Sequence, residues 1–178
     1  MTRYIAFLRA INVGGRTVSM EKLRGYFAEL GFANVRSYIQ TGNLFFETSE
    51  TNTDLLAQTI EAHLLKVLEY TVPTMVRNLG EVEALIAANP FSGYELTSDT
   101  RFCVAFGSKS LPKNMAFPHI SPDGEYQVIS AQNRDACIVI HQKDRPGNPG
   151  AYLEKTYGVV ATVRFYHTLL KIVQAAKG

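Results

Sequence analysis

Cysteine is scarce in this chain, and the two cysteines present lack the spacing of a zinc or redox site. Cys103 and Cys137 stand in apolar segments that look like strands, and no C-x-x-C pair exists. A free cysteine in such a segment behaves as a small hydrophobic residue, so we expect two buried thiols. The histidines show no H-x-x-x-H spacing, and no two carboxylates resemble an acid/base pair. We therefore predict no metal and no other cofactor, and the sequence leaves open whether the protein is an enzyme.

Long apolar runs are also absent. Arg9 interrupts the apolar stretch that a signal peptide would need near the N-terminus. No run approaches the ~20 residues that a membrane span requires. The net charge of +2 is too small to predict a nucleic-acid partner by itself. We expect a cytoplasmic protein without a membrane partner, and nothing in the sequence indicates its oligomeric state.

The first half of the chain contains apolar residues at periodic positions. Branched and aromatic residues predict strands over 4–10, 35–40, 44–47 and 72–77. A helix begins after Ser19, and a longer one follows the polar run at 51–54. The resulting order, β-α-β-β-α-β, predicts a ferredoxin-like subdomain over residues 1–78.

The second half, residues 79–178, is predicted as a degenerate version of the first. A short helix over 81–88 precedes a strand over 101–107, and residues 108–124 read as a proline-rich loop. A hairpin (126–130 and 136–141), a loop at 146–150, a short helix to 157, a strand over 159–163 and a helix over 166–176 follow. The prediction is an α+β fold with two ferredoxin-like subdomains packed as one unit.

A glycine-rich segment, Arg9 to Arg16, is the first candidate for function, and we call it the glycine loop. A strand, a Gly-Gly turn and a capped helix place backbone N–H groups and a positive helix end together, which suits a phosphate or carboxylate. Arg9 and Arg16 are able to contact such a group in bidentate fashion. The loop matches neither G-x-G-x-x-G nor a Walker motif, and turn geometry alone is the alternative explanation.

A second polar turn, residues 40–43, is predicted beside the glycine loop. The first strand and the second strand both run towards the same end of the sheet, so the segments that follow them meet there. The connection at 69–71 is expected at that end too. Arginine and lysine of the last strand and helix supply a second wall, unless they form a solvated basic face. The predicted ligand-binding set is Arg9, Asn12, Gly14, Gly15, Arg16, Gln40, Thr41, Gly42, Asn43, Arg164 and Lys171.

Two other functions stay open. Alternation places Phe7 and Arg9 on one face of the first strand and Tyr38 on one face of the second, a mixture able to bind single-stranded nucleic acid by stacking. The RNP1 pattern is absent, and packing of this face on the second half is the simpler expectation. A purely structural or protein-interaction unit is the third possibility.

The paired motifs also carry a family resemblance. Leu8 to Gly15 (LRAINVGG) and Tyr38 to Asn43 (YIQTGN) resemble the bacterial domain-of-unknown-function family number 1697. Segments 88–91 and 158–171 resemble it as well. The resemblance implies a small cytoplasmic α+β protein with ferredoxin-like subdomains, and it implies no activity. Its signature positions are Asn12, Gly14, Gly15, Gln40, Gly42 and Asn43, with Thr162, Arg164, Thr168 and Lys171 matching in the tail. Val163 and the Phe165–Tyr166 pair depart from the family pattern.

Overall fold

The computed structural model describes residues 1–141 and 147–178, and these residues form an α+β fold with two antiparallel sheets. The predicted fold class is therefore confirmed. The first elements are β1 (Thr2–Leu8), α1 (Met20–Glu29), β2 (Ala33–Tyr38), β3 (Asn43–Thr48), α2 (Thr53–Leu68), β4 (Thr74–Asn78) and α3 (Leu79–Ala87). The remaining ones are β5 (Thr100–Gly107), β6 (His119–Ile120), β7 (Tyr126–Gln132), β8 (Asp135–His141), α4 (Pro149–Tyr157), β9 (Ala161–Phe165) and α5 (Tyr166–Lys177).

Internal contacts divide the chain into two units. The first unit contains Met1–Ala84 together with Ile172–Gly178, and the second contains Leu85–Lys171. The sequence-based bounds were 1–78 and 79–178, so the largest difference is that the last seven residues belong with the first unit. The ferredoxin-like assignment of each half stays a prediction.

The sheet of the first unit has the strand order β2-β3-β1-β4, with every neighbouring pair antiparallel. One face of β1 presents Tyr4, Ala6 and Leu8 to a core shared with the two helices. Leu23 and Phe27 of α1 and Ile60 of α2 are fully buried in that core. Because the buried residues of both helices join one core with the same face of β1, both helices cover that face of the sheet.

Local signals fix where the helices of this unit begin and end. Ser19 caps α1, since its hydroxyl accepts a hydrogen bond from the Lys22 amide at 3.2 Å. Asn52 caps α2 by accepting from the amides of Asp54 and Leu55. Glu69 adopts the left-handed conformation at the end of α2 and turns the chain towards β4.

The opposite face of the first sheet receives the C-terminal end of α5. The Arg36 guanidinium donates to the carbonyls of Ala175 and Ala176, both at 3.0 Å. Arg3 donates to the carbonyls of Ala176 and Lys177 at 2.8 and 3.0 Å. The last carbonyls of a helix lack partners within it, and two arginines satisfy them here while complementing the negative end of the helix dipole.

The sheet of the second unit has the order β6-β7-β8-β5-β9 and is also antiparallel. If β5, β7, β8 and β9 are counted as first to fourth, their order is second-third-first-fourth, the same as in the first unit. The proline-rich loop predicted over 108–124 stands where the first unit has α1, and it contains the short strand β6, which the sequence did not indicate. Residue 146 of the predicted 146–150 loop lies outside the described residues, and Pro149 already opens α4.

A core of apolar side chains under α4 includes Val128, Ile138 and Leu153. Cys103 and Cys137 are both free and buried, as expected. Among the described residues, no helix combines the length and the apolar character that a bilayer span requires.

Candidate functional site

The glycine loop and the 40–43 turn meet at one end of the first sheet, as predicted. The Leu8 amide donates to the Gly42 carbonyl at 2.8 Å. The Asn12 side-chain amide donates to the Gln40 carbonyl at 3.2 Å. These bonds join the end of β1 and the segment that follows it to the turn between β2 and β3.

The connection between α2 and β4 reaches the same end of the sheet. The Arg9 amide donates to the Pro73 carbonyl at 2.8 Å. The guanidinium carbon of Arg16 lies 4.5 Å from the centre of the Tyr70 ring, a cation–π contact. Three segments that are distant in sequence therefore converge here, and Tyr70 is a member that the predicted set lacked.

The glycine loop has an irregular backbone that its own side chains hold in place. Four of its residues have positive φ: Ala10 (56°), Asn12 (58°), Gly14 (62°) and Gly15 (81°). For a residue other than glycine this conformation is costly and persists only when its surroundings fix it. Asn12 supplies that support, because its Oδ1 accepts from the Val18 amide at 2.6 Å while its Nδ2 contacts the 40–43 turn.

The tip of the loop is open. A Cβ added at Gly14 or Gly15 would meet no atom within 4 Å. Within the described ranges, 1–141 and 147–178, no hydrogen bond uses the amide of either glycine. Arg16 is exposed, and no described residue accepts a hydrogen bond from its guanidinium group. Two backbone donors and one cation thus stand at the surface beside each other in sequence.

Residues of the 40–43 turn differ in what they offer to a ligand. Gln40 and Thr41 are exposed. Asn43 is 0% exposed, and its Nδ2 donates to the Tyr38 carbonyl at 3.1 Å and to Thr41 Oγ1 at 2.9 Å. The amide of Asn43 therefore holds the turn together instead of facing a ligand.

Arg164 and Lys171, the predicted second wall, belong to the second unit. Arg164 is 7% exposed and donates to Thr162 Oγ1 and the Val163 carbonyl, both at 2.9 Å. Burial lowers its pKa to about 10, because the charged form loses hydration. Lys171 is exposed on α5. Their membership of a ligand site stays a prediction.

The sheet face considered for nucleic-acid stacking presents buried rings. Phe7 is 0% exposed and Phe45 is 1% exposed, while Tyr38 is half-buried. A stacking platform needs ring faces that bases can reach. The nucleic-acid hypothesis stays a prediction, and Phe7, which it needs at the surface, is buried. In the described part of the chain, no cluster of three or more His, Cys, Asp or Glu residues has the arrangement of a metal site.

A sequence model of the family described as "Protein of unknown function (DUF1697)" matches residues 1–136. The chain belongs to this family. The match covers the glycine loop, the 40–43 turn and the first unit up to its last seven residues. No curated protein matches the chain.

A solved structure supports the fold assigned to this DUF1697 member. A conserved bacterial protein, SP0830 from Streptococcus pneumoniae, is similar over 100% of this chain and 99% of its own chain, with a TM-score of 0.71. The two sequences are 23% identical. The likeness therefore shows a shared α+β architecture over the full length, and it carries no information on a ligand.

Proposed function

We propose that the glycine loop and the 40–43 turn bind a small ligand carrying a phosphate or carboxylate group. The observation that carries the proposal is the exposed Gly14–Gly15–Arg16 tip, where, among the described residues, two amides make no hydrogen bond and no residue accepts one from the guanidinium. Backbone N–H groups in left-handed and turn conformations form concave sites for anions. The proposal includes a cytoplasmic location.

Arg16 supplies the charge in this proposal. Its guanidinium lies over the Tyr70 ring, and this contact restricts its position. A guanidinium edge matches the two oxygens of a carboxylate or phosphate. Stacking on Tyr70 therefore reduces the rotamer freedom that an unsupported arginine would lose when it binds the anion.

Gln40 and Thr41 contact the rest of the ligand. Both are exposed in the turn whose backbone is tied to Leu8 and Asn12. Asn12 and Asn43 have a different role, because their side-chain amides are engaged inside the two loops. They fix the shape of the site, and Gly42 permits the close approach of its two halves.

A thermal-shift screen with nucleotides, sugar phosphates, carboxylates and single-stranded oligonucleotides tests the proposal. A ligand present at 100 times its dissociation constant stabilises the folded state by about 2.7 kcal/mol. For any ligand found, we expect Arg16→Ala to weaken binding roughly tenfold or more, since a hydrogen bond to a charged group contributes about 1.5–3 kcal/mol.

Lys66→Ala is the matched control. Lys66 is exposed on α2 of the same unit, so this variant has the same net charge as Arg16→Ala without touching the glycine loop. Equal affinities of the two variants for an anionic ligand would place the binding site elsewhere. Binding of oligonucleotides that is abolished by Tyr38→Ala and unaffected by Arg16→Ala would favour the sheet face instead.

A further inference from the structure

We propose a second binding site, independent of the glycine loop, in a cleft of about 480 Å³ in the second unit that takes a zwitterionic amino acid with an apolar or aromatic side chain. The residues that carry the argument are Asp123, Glu125, Tyr126, Tyr152 and Lys155, all of which line the cleft. They combine an aromatic wall, two carboxylates and one ammonium group. The volume lies within the range of about 300–1,000 Å³ that is typical of small-molecule sites.

The aromatic wall consists of two stacked tyrosines whose hydroxyl groups are held in place. The rings of Tyr126 and Tyr152 lie 5.1 Å apart at an interplanar angle of 30°. The Tyr126 hydroxyl accepts from the Asn148 amide at 2.8 Å. The hydroxyls of Tyr152 and Tyr157 both contact Nε2 of His119, at 3.3 and 2.8 Å. With both hydroxyls held, the position of each ring is restricted at its outer end, so the wall is preorganised for a ligand.

Gly147 packs closely against the Tyr126 ring. A Cβ at position 147 would lie 2.9 Å from Cε1 and 3.0 Å from the hydroxyl oxygen of Tyr126. Backbone therefore packs directly on the ring, and Tyr126 is only 6% exposed. Burial is the main cause that raises the pKa of Tyr126, and it also raises the pKa of Tyr152. Both rings stay neutral and hydrogen-bonded at physiological pH.

Two carboxylates stand on the turn that precedes β7. Asp123 Oδ1 accepts from the Ser121 hydroxyl at 2.5 Å and from the Glu125 amide at 2.9 Å, which fixes the turn. The Ser121 hydroxyl in turn accepts from the Tyr126 amide at 2.9 Å. Carboxylates and aromatic rings that line one cleft favour an ammonium group, through charge pairing and cation–π attraction.

Lys155 decides between a simple cation and a zwitterion. It lies on α4 four residues after Ala151, so both residues face the cleft from one side of the helix. Lys155 offers a partner to a carboxylate and Glu125 offers one to an ammonium group, so a ligand that carries both groups forms two charge pairs where a ligand with only one of them forms one. An amino acid satisfies both ends and places its side chain on the Tyr152 ring.

Isothermal titration calorimetry with L-phenylalanine tests this site, with 2-phenylethylamine and 3-phenylpropionate as half-ligands. We expect saturable binding of L-phenylalanine and at least about tenfold weaker binding of each half-ligand. Glu125→Gln and Lys155→Met should each weaken L-phenylalanine binding by about tenfold, since each removes one charged hydrogen-bonding partner. Glu95→Gln and Lys113→Met, exposed positions outside the cleft, are the matched controls and should change nothing.

Three results would overturn the proposal. The first is the absence of saturable binding at about 10 mM L-phenylalanine, an affinity too weak for a built site. The second is equal affinity for L-phenylalanine and either half-ligand. The third is unchanged affinity in both cleft variants while circular dichroism shows them folded. Arg16→Ala should leave L-phenylalanine binding intact, so failure of this proposal is distinguishable from failure of the anion site.

Discussion

Gly42 approaches Ile11 so closely that a Cβ at position 42 would lie 2.6 Å from Ile11 Cγ2. The same Cβ would lie 2.8 Å from Cβ of Leu8. Ile11 belongs to the glycine loop and Gly42 to the 40–43 turn, so the two halves of the candidate site pack against each other at this contact. The lack of space for a Cβ accounts for the glycine at position 42 without reference to a ligand.

Gly42→Ala is therefore expected to destabilise the fold by about 2–4 kcal/mol, because it adds overpacking to the strain of a left-handed φ of +75°. Gly31→Ala is the control, since Gly31 has a similar φ of +79° and open space at its Cβ. Gly31→Ala should lower the free energy of unfolding only by the backbone strain, about 1–2 kcal/mol. Urea unfolding of both variants measures the difference. Equal losses of unfolding free energy in the two variants would show that Gly42 and Ile11 are not tightly packed.

Asn43→Ala should lower the free energy of unfolding by about 1–3 kcal/mol. The substitution leaves the part-buried Tyr38 carbonyl and the Thr41 hydroxyl without the donor that they share. Gln40→Ala, in the same turn but exposed, should stay within about 0.5 kcal/mol of the wild type. If both variants unfold at the same urea concentration as the wild type, Asn43 does not hold the turn.

Arg36→Ala is expected to loosen the C-terminal end of α5. It removes the two hydrogen bonds to the carbonyls of Ala175 and Ala176. Hydrogen exchange followed by mass spectrometry should show faster exchange over residues 172–177. Arg24→Ala, which removes one bond to the Ser37 hydroxyl, is the control and should leave that exchange unchanged. Identical exchange in the two variants would mean that the helix end is held by other contacts.

Alkaline pH should destabilise the protein through its buried thiols. Burial raises the pKa of Cys137 from 9.0 to about 11 and raises that of Cys103 further. Between pH 9 and the folded pKa, the unfolded state has lost the thiol proton that the folded state retains, so stability falls as pH rises. The contribution of the protonated thiols to stability is fully present below pH 9.

Unfolding by urea at pH 8.0 and 9.8 measures the effect, with Cys137→Ala as a reference whose pH dependence should be shallower. Ellman's reagent at pH 8 should label neither thiol in the native state and both after denaturation. Rapid labelling of the native protein would contradict the buried environment of the two thiols.

Much of the fold could be predicted from local patterns. The N-cap at Ser19 and the apolar spacing of α1 and α2 located the helices, and alternation located most strands. The end of β1 was predicted two residues too late, because Ala10 is apolar but has a positive φ that takes it out of the strand. β6 has two residues, which is too short for any alternation to appear.

Long-range placement is what the sequence could not supply. The C-terminal end of α5 joins the first unit through Arg3 and Arg36, more than a hundred residues away in the chain. The candidate site shows the same limit. The direction of the strands predicted that the glycine loop lies beside the 40–43 turn. The amino-acid sequence did not predict that Asn43 is buried or that Arg16 stacks on Tyr70.

No local sequence pattern predicted the cleft of the second unit either. It arises where the turn at 121–125 folds against α4, and the two stacked tyrosines are 26 positions apart along the chain. Tyr126 alternates inward like any strand residue, and Tyr152 follows the helical period. Neither pattern predicts that the two rings stack on each other.

The most direct test of the anion site is a titration of the ¹⁵N-labelled protein with inorganic pyrophosphate, followed by amide chemical shifts. The account predicts saturable shifts at the amides of Gly14, Gly15 and Arg16, weakened roughly tenfold in Arg16→Ala and unchanged in Lys66→Ala. Shifts that are absent at Gly14 and Gly15, or that are equal in the two variants, would contradict it.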